Sequence, residues 1–134
     1  MNTLFLDIDG VLNSRATFRK HGSYCIDPVL LGRFNRLIEA TNAHVVLAST
    51  WRLYEEMRCD VLAAGILFQS CTPDLPTQTR ADEITAWLKD HPEIKRYAVL
   101  DDEPVPGHPL FRTSSRYGLT ERICRAVVRH FNEM

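Results

Sequence analysis

The sequence predicts an α/β fold in which one parallel β-sheet of about five strands lies between two layers of helices. Short apolar segments of strand length alternate with longer segments whose apolar residues recur every three or four positions, as in amphipathic helices. Such alternation favours a parallel sheet that is covered on both faces. The 134 residues contain no repeat, low-complexity tract or linker, and a chain of this length fits one domain. We therefore predict a single domain spanning residues 1–134.

The first half of the chain predicts two strands, two helices and one irregular stretch. Asp27-Pro28 is typical of a helix start, because Asp caps the first turn and proline is tolerated at its first position. Gly65 is a typical helix stop. The predicted segments are a strand at 3–6, a small hairpin or loop flap at 14–26, a helix at 28–40, a strand at 44–48 and a helix from 54 to the stop at Gly65.

The second half continues the alternation of strands and helices. Thr79, followed three residues later by Asp82, resembles a capping box, and His91-Pro92 closes the helix that begins there. Thr120 is expected to cap the last helix. The remaining predicted segments are a strand at 66–68, a loop at 73–78, a strand at 97–100 and a short strand at 110–113.

Acidic residues directly follow two of the predicted strands. Asp7 and Asp9 come after the first strand, and Asp101 and Asp102 come after the fourth. In a Rossmann-like three-layer α/β/α sandwich, the carboxyl ends of the parallel strands lie along one edge of the sheet, where such folds bind ligands. Ser49, at the end of the second strand, should lie at the same edge. Crowded carboxylates repel one another unless a cation or a shared proton relieves them, and oxygen ligands suit Mg²⁺. We therefore predict a magnesium site there.

Composition excludes several other classes of protein. A formal net charge of −1 argues against a strongly basic nucleic-acid-binding protein, although thirteen of the sixteen basic residues are arginine, whose planar guanidinium suits phosphate. The four cysteines form no C-x-x-C pair, so neither a zinc ribbon nor a thioredoxin-like redox motif is supported. Neither a signal-peptide pattern nor an apolar run of membrane-spanning length is present, which predicts a cytoplasmic protein without a membrane partner.

The acidic residues also carry a family resemblance. The segment from Asp7 to Val11 reads D-I-D-G-V and matches D-x-D-G-x, the first motif of the haloacid dehalogenase (HAD) superfamily of phosphohydrolases. The later motifs of that superfamily are a Ser or Thr ending the second strand, a Lys or Arg near a helix start, and an acidic pair after a strand. These are matched in order by Ser49, Arg80 and Asp101-Asp102. The resemblance spans nearly the whole chain.

Within the superfamily, the chain is most similar to short HAD proteins that have been linked to RNA repair. These proteins read L-D-x-D-G-V-L-N, then S-[ST]-W-R, then L-D-D, and this sequence has LDIDGVLN at 6–13, STWR at 49–52 and LDD at 100–102. Neither the stretch at 14–26 nor the loop at 73–78 can hold a cap domain, the module that encloses small substrates in many relatives. The resemblance therefore implies an open site without a cap domain.

The resemblance and the requirements of phosphoryl transfer together imply roles for the acidic residues. Asp7 is expected to be the nucleophile that forms an aspartyl-phosphate. Asp9 is expected to protonate the leaving oxygen and then to activate water. Magnesium is expected to be held by the side chains of Asp7 and Asp101 and the backbone carbonyl of Asp9, with Asp102 ligating through water or orienting the other ligands.

Hydroxyl, amide and guanidinium groups are expected to bind the phosphate. The Ser49 hydroxyl should donate to a phosphate oxygen, together with the N–H groups that follow it from Thr50 onward. Arg80 should neutralise the charge on Asp7 and on the phosphate. Asp82 and Glu83 lie close to Arg80 in sequence and could pair with it instead.

We expect different roles for Trp51 and Arg52, the two residues that follow Thr50. Trp51 is expected to pack in the core in preference to stacking on a base. Arg52 is a candidate for substrate contact, because a guanidinium at this position could hold a second phosphate or the backbone of a nucleic-acid end. Basic residues in the 14–26 flap also favour an anionic substrate.

The sequence therefore predicts a magnesium-dependent phosphomonoesterase with an open site, which could act on a nucleic-acid end or a nucleotide. The alternative is a phosphate-binding or receiver-like regulatory module without turnover, although receivers place their acid pair after the first strand and their phosphoacceptor near the middle strand. Metal-free dehalogenation fits less well, since a halide leaving group does not need the proton that Asp9 would supply. A purely structural or interaction role is the residual possibility.

Overall fold

The computed structural model describes residues 2–133, and within them a five-stranded sheet forms the centre of the fold. The strands are β1 (Asn2–Leu6), β2 (His44–Leu47), β3 (Phe68–Cys71), β4 (Arg96–Asp101) and β5 (Leu110–Arg112). The helices are α1 (Arg15–His21), α2 (Pro28–Thr41), α3 (Glu55–Ala63), α4 (Arg80–Lys89) and α5 (Glu121–Asn132), and a 3-10 helix, Thr50–Leu53, precedes α3. None of these helices is long and apolar enough to cross a membrane.

The sheet is parallel throughout and has the strand order β3-β2-β1-β4-β5. From β1, the chain builds outward to β2 and β3 on one side and then to β4 and β5 on the other. The order therefore reverses between β1 and β4, whose register pairs Leu6 with Leu100. Parallel sheets of this kind bind ligands in the crevice outside such a reversal point. Asp7 and Asp101 lie directly beside it.

Alternating side chains of the strands enter two separate hydrophobic clusters. On β1, Leu4 and Leu6 belong to the cluster that includes α2, α3 and α5, whereas Phe5 belongs to the cluster that includes α4. On β4, Leu100 faces the first cluster and Val99 the second. The period of two is that of a strand buried on both faces. These packing relationships confirm the prediction of a Rossmann-like fold with helices on both faces of a parallel sheet.

Several predicted helix boundaries are confirmed. Asp27 caps α2 and accepts the backbone N–H of Val29 at 2.8 Å. Thr79 and Asp82 form the expected reciprocal capping box at the start of α4, with two hydrogen bonds of 3.2 Å. Thr120 caps α5 through the N–H of Ile123. These caps supply acceptors for N–H groups that have no partner inside a helix.

Two predicted segments were wrong in their local structure. The 14–26 stretch was expected to be a hairpin or loop, but it contains helix α1, where Thr17 is buried and its hydroxyl donates to Asp27 at 2.7 Å. The third strand was expected at 66–68 but runs from Phe68 to Cys71. Polar side chains in this half-exposed edge strand made it difficult to predict. One of them, Gln69, accepts the N–H of Val45 through its amide oxygen at 2.7 Å, where the register shifts.

Candidate active site

Asp7 lies immediately past β1, at the reversal point of the sheet. Its backbone N–H still donates to Leu100 on β4 at 3.0 Å, so its position is set by the sheet. The side chain is only 5% exposed. Burial raises the pKa of Asp7 to about 8; the nearby Arg80 opposes this rise, whereas the negative charges of Asp101 and Asp102 add to it. The carboxylate is therefore held where its charge is costly without a cation.

Arg80 bridges the two strands at the centre of the site. It is the first residue of α4, and its Nη1 lies 2.6 Å from Asp101 Oδ2 and 3.2 Å from Asp7 Oδ1. Burial of the guanidinium would lower its pKa, but the charges of Asp7 and Asp101 outweigh this effect and raise the pKa of Arg80. The structure thus brings together the residues of the first, third and fourth sequence motifs.

Neither acidic neighbour in sequence competes strongly for Arg80. Asp82 is engaged in the capping box of α4, and Glu83 forms its ion pair with Arg52, at 2.9 Å. The guanidinium of Arg80 is consequently directed toward Asp7 and Asp101.

Three carboxylates at this edge could hold a metal ion. One oxygen from each of Asp7, Asp101 and Asp102 lies within 4.8 Å of the others. Burial raises the pKa of Asp102 as well, with a further contribution from the charge of Asp101. Gly10 has a φ of 80°, and a Cβ atom there would overlap the Asp102 carboxylate. Gly10 therefore leaves the space that the Asp102 carboxylate occupies. A cluster of carboxylate oxygens such as this one fits a hard cation such as Mg²⁺.

Asp9 is held in a defined orientation although it is exposed. Its Oδ1 accepts the side-chain amide of Asn13 at 2.9 Å and the indole N–H of Trp51 at 3.1 Å. Asn13 also accepts the N–H of Gly10 at 2.9 Å, which closes the turn that follows β1. Both of these hydrogen bonds go to Oδ1, and none of the residues that the structure describes donates to the second oxygen of the Asp9 carboxyl.

Ser49 and Thr50 occupy the corresponding position after β2. Ser49 is fully buried, and its hydroxyl oxygen accepts the N–H of Trp51 at 3.2 Å. A hydroxyl that accepts such a bond still has its own hydrogen to donate. Thr50 is exposed and begins the 3-10 helix, so backbone N–H groups of its first turn start beside Ser49. The sheet places both residues one strand away from Asp7.

Arg52, the candidate for substrate contact, has a guanidinium that is buried and hydrogen-bonded to the protein itself. It is 6% exposed, and its guanidinium donates to the carbonyl oxygens of Ser49, Thr72 and Pro73 as well as to Glu83. Glu83 Oε2 also accepts the N–H of Leu75 at 2.9 Å. Arg52 therefore ties the loops after β2 and β3 to α4, the helix that carries Arg80.

Sequence reasoning missed three residues that shape the site. Trp51 packs in the core as expected, at 6% exposure, but its indole also positions Asp9. Asn13 was assigned no role in the site, and neither was Thr113, the last residue of the predicted fifth strand, although the Thr113 hydroxyl donates to the Gly10 carbonyl at 2.6 Å. Asn13 in LDIDGVLN and Trp51 in STWR were the available signals for these two residues, and the position of Thr113 at the end of the predicted strand 110–113 was the signal for the third.

The fold and the four motif positions along one sheet edge define a HAD-type phosphohydrolase. A family model described as "HAD domain in Swiss Army Knife RNA repair proteins" matches residues 3–124. The chain therefore belongs to this family of HAD domains, as its sequence motifs had suggested. No curated protein and no solved structure matches the chain significantly.

Proposed function

We propose that this chain is a magnesium-dependent phosphomonoesterase that removes terminal phosphates from RNA ends through an aspartyl-phosphate on Asp7. The observation that carries the proposal is the carboxylate cluster of Asp7, Asp101 and Asp102, crossed by the guanidinium of Arg80. Such an arrangement pairs a nucleophile with the positive charge that a phosphoryl group needs. Family membership supports the reaction class.

In the proposed first step, an oxygen of Asp7 attacks phosphorus in line with the ester oxygen of the substrate. The phosphorus–ester bond breaks, and Asp9 donates its proton to the departing oxygen, which leaves as an alcohol. In the second step, Asp9 takes a proton from water, whose oxygen attacks the phosphorus of the aspartyl-phosphate. Inorganic phosphate and the Asp7 carboxylate are released, and Asp9 is protonated again.

The magnesium ion would be held by the side chains of Asp7 and Asp101, the Asp9 backbone carbonyl and, directly or through water, Asp102. When bound, it supplies positive charge to the phosphate oxygens and relieves the repulsion among the carboxylates. Arg80 adds a fixed positive charge beside Asp7, and Ser49 and the N–H groups from Thr50 onward donate to the phosphate.

The proposed substrate follows from the openness of the site and the family description. Among residues 2–133, only helix α1 and short loops lie between β1 and α2, and the loop at 73–78 is shorter still, which supports a site without a cap domain. An open cleft admits the end of a polymer. The matched family is named for RNA repair proteins, which favours a phosphorylated RNA end over a small metabolite.

A phosphate-release assay tests this proposal. The purified chain is given Mg²⁺ and a panel of an aryl phosphate, nucleotides, sugar phosphates, and 3′- and 5′-phosphorylated RNA and DNA ends. We expect release from the aryl phosphate and faster release from RNA ends, abolished by a chelator and by Asp7→Asn but not by the exposed control Asp60→Asn. Phosphate release that survives in Asp7→Asn would overturn the mechanism. A stable phospho-Asp without turnover would favour the receiver-like alternative.

A further inference from the structure

Two aromatic side chains are exposed on the segment that follows the turn at residues 7–10, the DIDG turn. Phe18 on α1 is 48% exposed and Tyr24 is 50% exposed. Their ring centroids are 5.0 Å apart, and the planes are inclined by 30°. Exposed aromatic rings that lie side by side offer flat apolar faces to a ligand.

The backbone of the segment that carries this aromatic pair is connected to the proposed catalytic acid through Asn13. The side-chain amide of Asn13 donates to the backbone carbonyl of Tyr24 at 3.4 Å and to Asp9 Oδ1 at 2.9 Å. The Asn13 side chain therefore links the Tyr24 backbone to the Asp9 carboxyl, which would protonate the leaving group. The segment that carries the pair is therefore linked through Asn13 to the turn that holds Asp9.

A third exposed aromatic residue lies on an adjoining turn. Tyr117 is 60% exposed, and the guanidinium carbon of Arg116 lies 5.2 Å from its ring centroid. The turn contacts the start of α1, where the N–H of Arg15 donates to Ser115 at 2.9 Å, and the N–H of Leu119 donates to Val11 at 2.8 Å. These two hydrogen bonds place the turn beside α1 and the DIDG turn.

The two segments that carry these rings contain basic residues but no acidic ones. Residues 14–26 contain no acidic residue, and neither do residues 112–119. Exposed cations accompany the rings on both segments: Arg15, Arg19, Lys20, Arg112 and Arg116. A second copy of this chain would bring like charges together on the same surface, whereas a polyanion with aromatic faces complements both features.

We propose that Phe18, Tyr24 and Tyr117, with the surrounding arginines, form a surface that binds the single-stranded RNA segment leading to the terminal phosphate. Bases stack on the aromatic rings while the arginines and Lys20 contact the phosphates between them. The inference rests on the proposed function, because it assigns a substrate to the same site. It predicts that the enzyme favours an RNA strand over a mononucleotide with the same terminal phosphate.

The test separates strand binding from chemistry. Phe18→Ala/Tyr24→Ala and Tyr117→Ala are compared with Leu67→Ala, which removes an exposed apolar side chain just before β3, at the amino end of that strand. Tyr24→Ala keeps the backbone carbonyl that Asn13 binds. Each variant is assayed on an aryl phosphate and on a phosphorylated single-stranded RNA of about eight nucleotides. Binding of the same RNA to the Asp7→Asn protein, with and without the aromatic substitutions, is measured by fluorescence anisotropy.

We expect the double variant to raise KM for the RNA by about 10-fold or more, with aryl phosphate hydrolysis unchanged and Leu67→Ala like the wild type. RNA binding to the Asp7→Asn protein should weaken to the same extent when the aromatic residues are replaced. Unchanged RNA affinity in both assays would overturn the inference, as would equal losses on both substrates. A dimer in sedimentation velocity that Phe18→Ala/Tyr24→Ala dissociates would also overturn it, by assigning the rings to a second copy.

The proposed function can fail separately. If the wild type hydrolyses neither the aryl phosphate nor the RNA, the catalytic proposal fails, while the anisotropy measurement still decides whether the aromatic surface binds RNA.

Discussion

The indole N–H of Trp51 donates to Asp9 Oδ1 at 3.1 Å, linking the segment after β2 to the acid that follows β1. Asn13 donates to the same oxygen. The orientation of Asp9 therefore depends on two neutral side chains as well as on the backbone turn.

Replacing Trp51 by Phe should lower kcat without removing the aromatic packing. A hydrogen bond to a charged group contributes about 1.5–3 kcal/mol, so we expect kcat for RNA ends to fall by about 10-fold or more. The matched control is Trp87→Phe, because the Trp87 indole donates instead to Ser70 at 2.9 Å on the other face of the sheet. Steady-state kinetics measure kcat for both variants. Equal kcat values for Trp51→Phe and the wild type would contradict this role of Trp51.

Gly10 should be required for metal binding. In Gly10→Ala the added methyl group would displace the Asp102 carboxylate, and we expect the dissociation constant for Mg²⁺, measured by calorimetry, to rise by about 10-fold. Gly22→Ala is a matched control, since Gly22 has a similar φ of 75° but no atom within 4 Å of the added position. Both variants carry the strain of a left-handed alanine, roughly 1–2 kcal/mol. Equal Mg²⁺ affinities in the two variants would disprove the steric argument.

Arg52→Met should destabilise the fold and act on catalysis only indirectly. Removing the guanidinium leaves the buried carboxylate of Glu83 without its charged partner, which costs about 3–5 kcal/mol in comparable buried pairs. The control is Arg36→Met, whose ion pair with Glu121 at 3.0 Å is exposed and contributes about 0–1 kcal/mol. Urea unfolding measures both free energies, and similar small losses would show that the Arg52 pair is not structural.

Arg52 and Arg80 illustrate which contacts of the site could be predicted from the sequence and which could not. The strand-end rule for parallel sheets was sufficient to bring Asp7 next to Asp101, because it depends only on topology. Which arginine faces the carboxylates depended on Glu83, a residue that could pair with either arginine from sequence alone. Its partner is decided by the packing of α4 against the loops after β2 and β3, which no local pattern reports.

Helix α1 and strand β3 were mispredicted for a similar reason, because neither has a clear apolar pattern. Helix α1 is short, and only Thr17 is buried on it, so it has no apolar stripe to indicate its period. Strand β3 lies at a sheet edge with Gln69 and Ser70 in its centre, so its burial pattern is weak. By contrast β1 and β4 lie in the middle of the sheet and appear as continuous apolar segments, which is why their ends could be predicted closely.

Magnesium should stabilise the protein more as the pH rises. The pKa of Asp7 is raised by burial to about 8 in the fold, above the ordinary value of 3.8. The fold therefore favours the protonated carboxyl, and the stability that this gives the metal-free protein is lost as the pH rises through about 8. Magnesium requires the ionised form, so its binding opposes that loss.

Thermal unfolding with and without saturating Mg²⁺ measures this linkage. We expect a larger increase in Tm at about pH 8.5 than at about pH 5.5. In Asp7→Asn the increase should be small at both values. A magnesium effect on Tm that does not depend on pH in the wild type would contradict the assignment of Asp7 as a ligand.

The most direct test of the central claim is the site of covalent phosphorylation. Asp9→Asn removes the proton donor for the leaving group and the base for the second step, so a phosphoryl group transferred to the enzyme should persist. Asp9→Asn is incubated with Mg²⁺ and a phosphorylated RNA end, quenched in acid and analysed by peptide mass spectrometry. We predict one added phosphoryl group on the peptide containing Asp7, absent when Asp7→Asn is combined with Asp9→Asn. Phosphorylation at another residue, or full phosphate release by Asp7→Asn, would contradict the account.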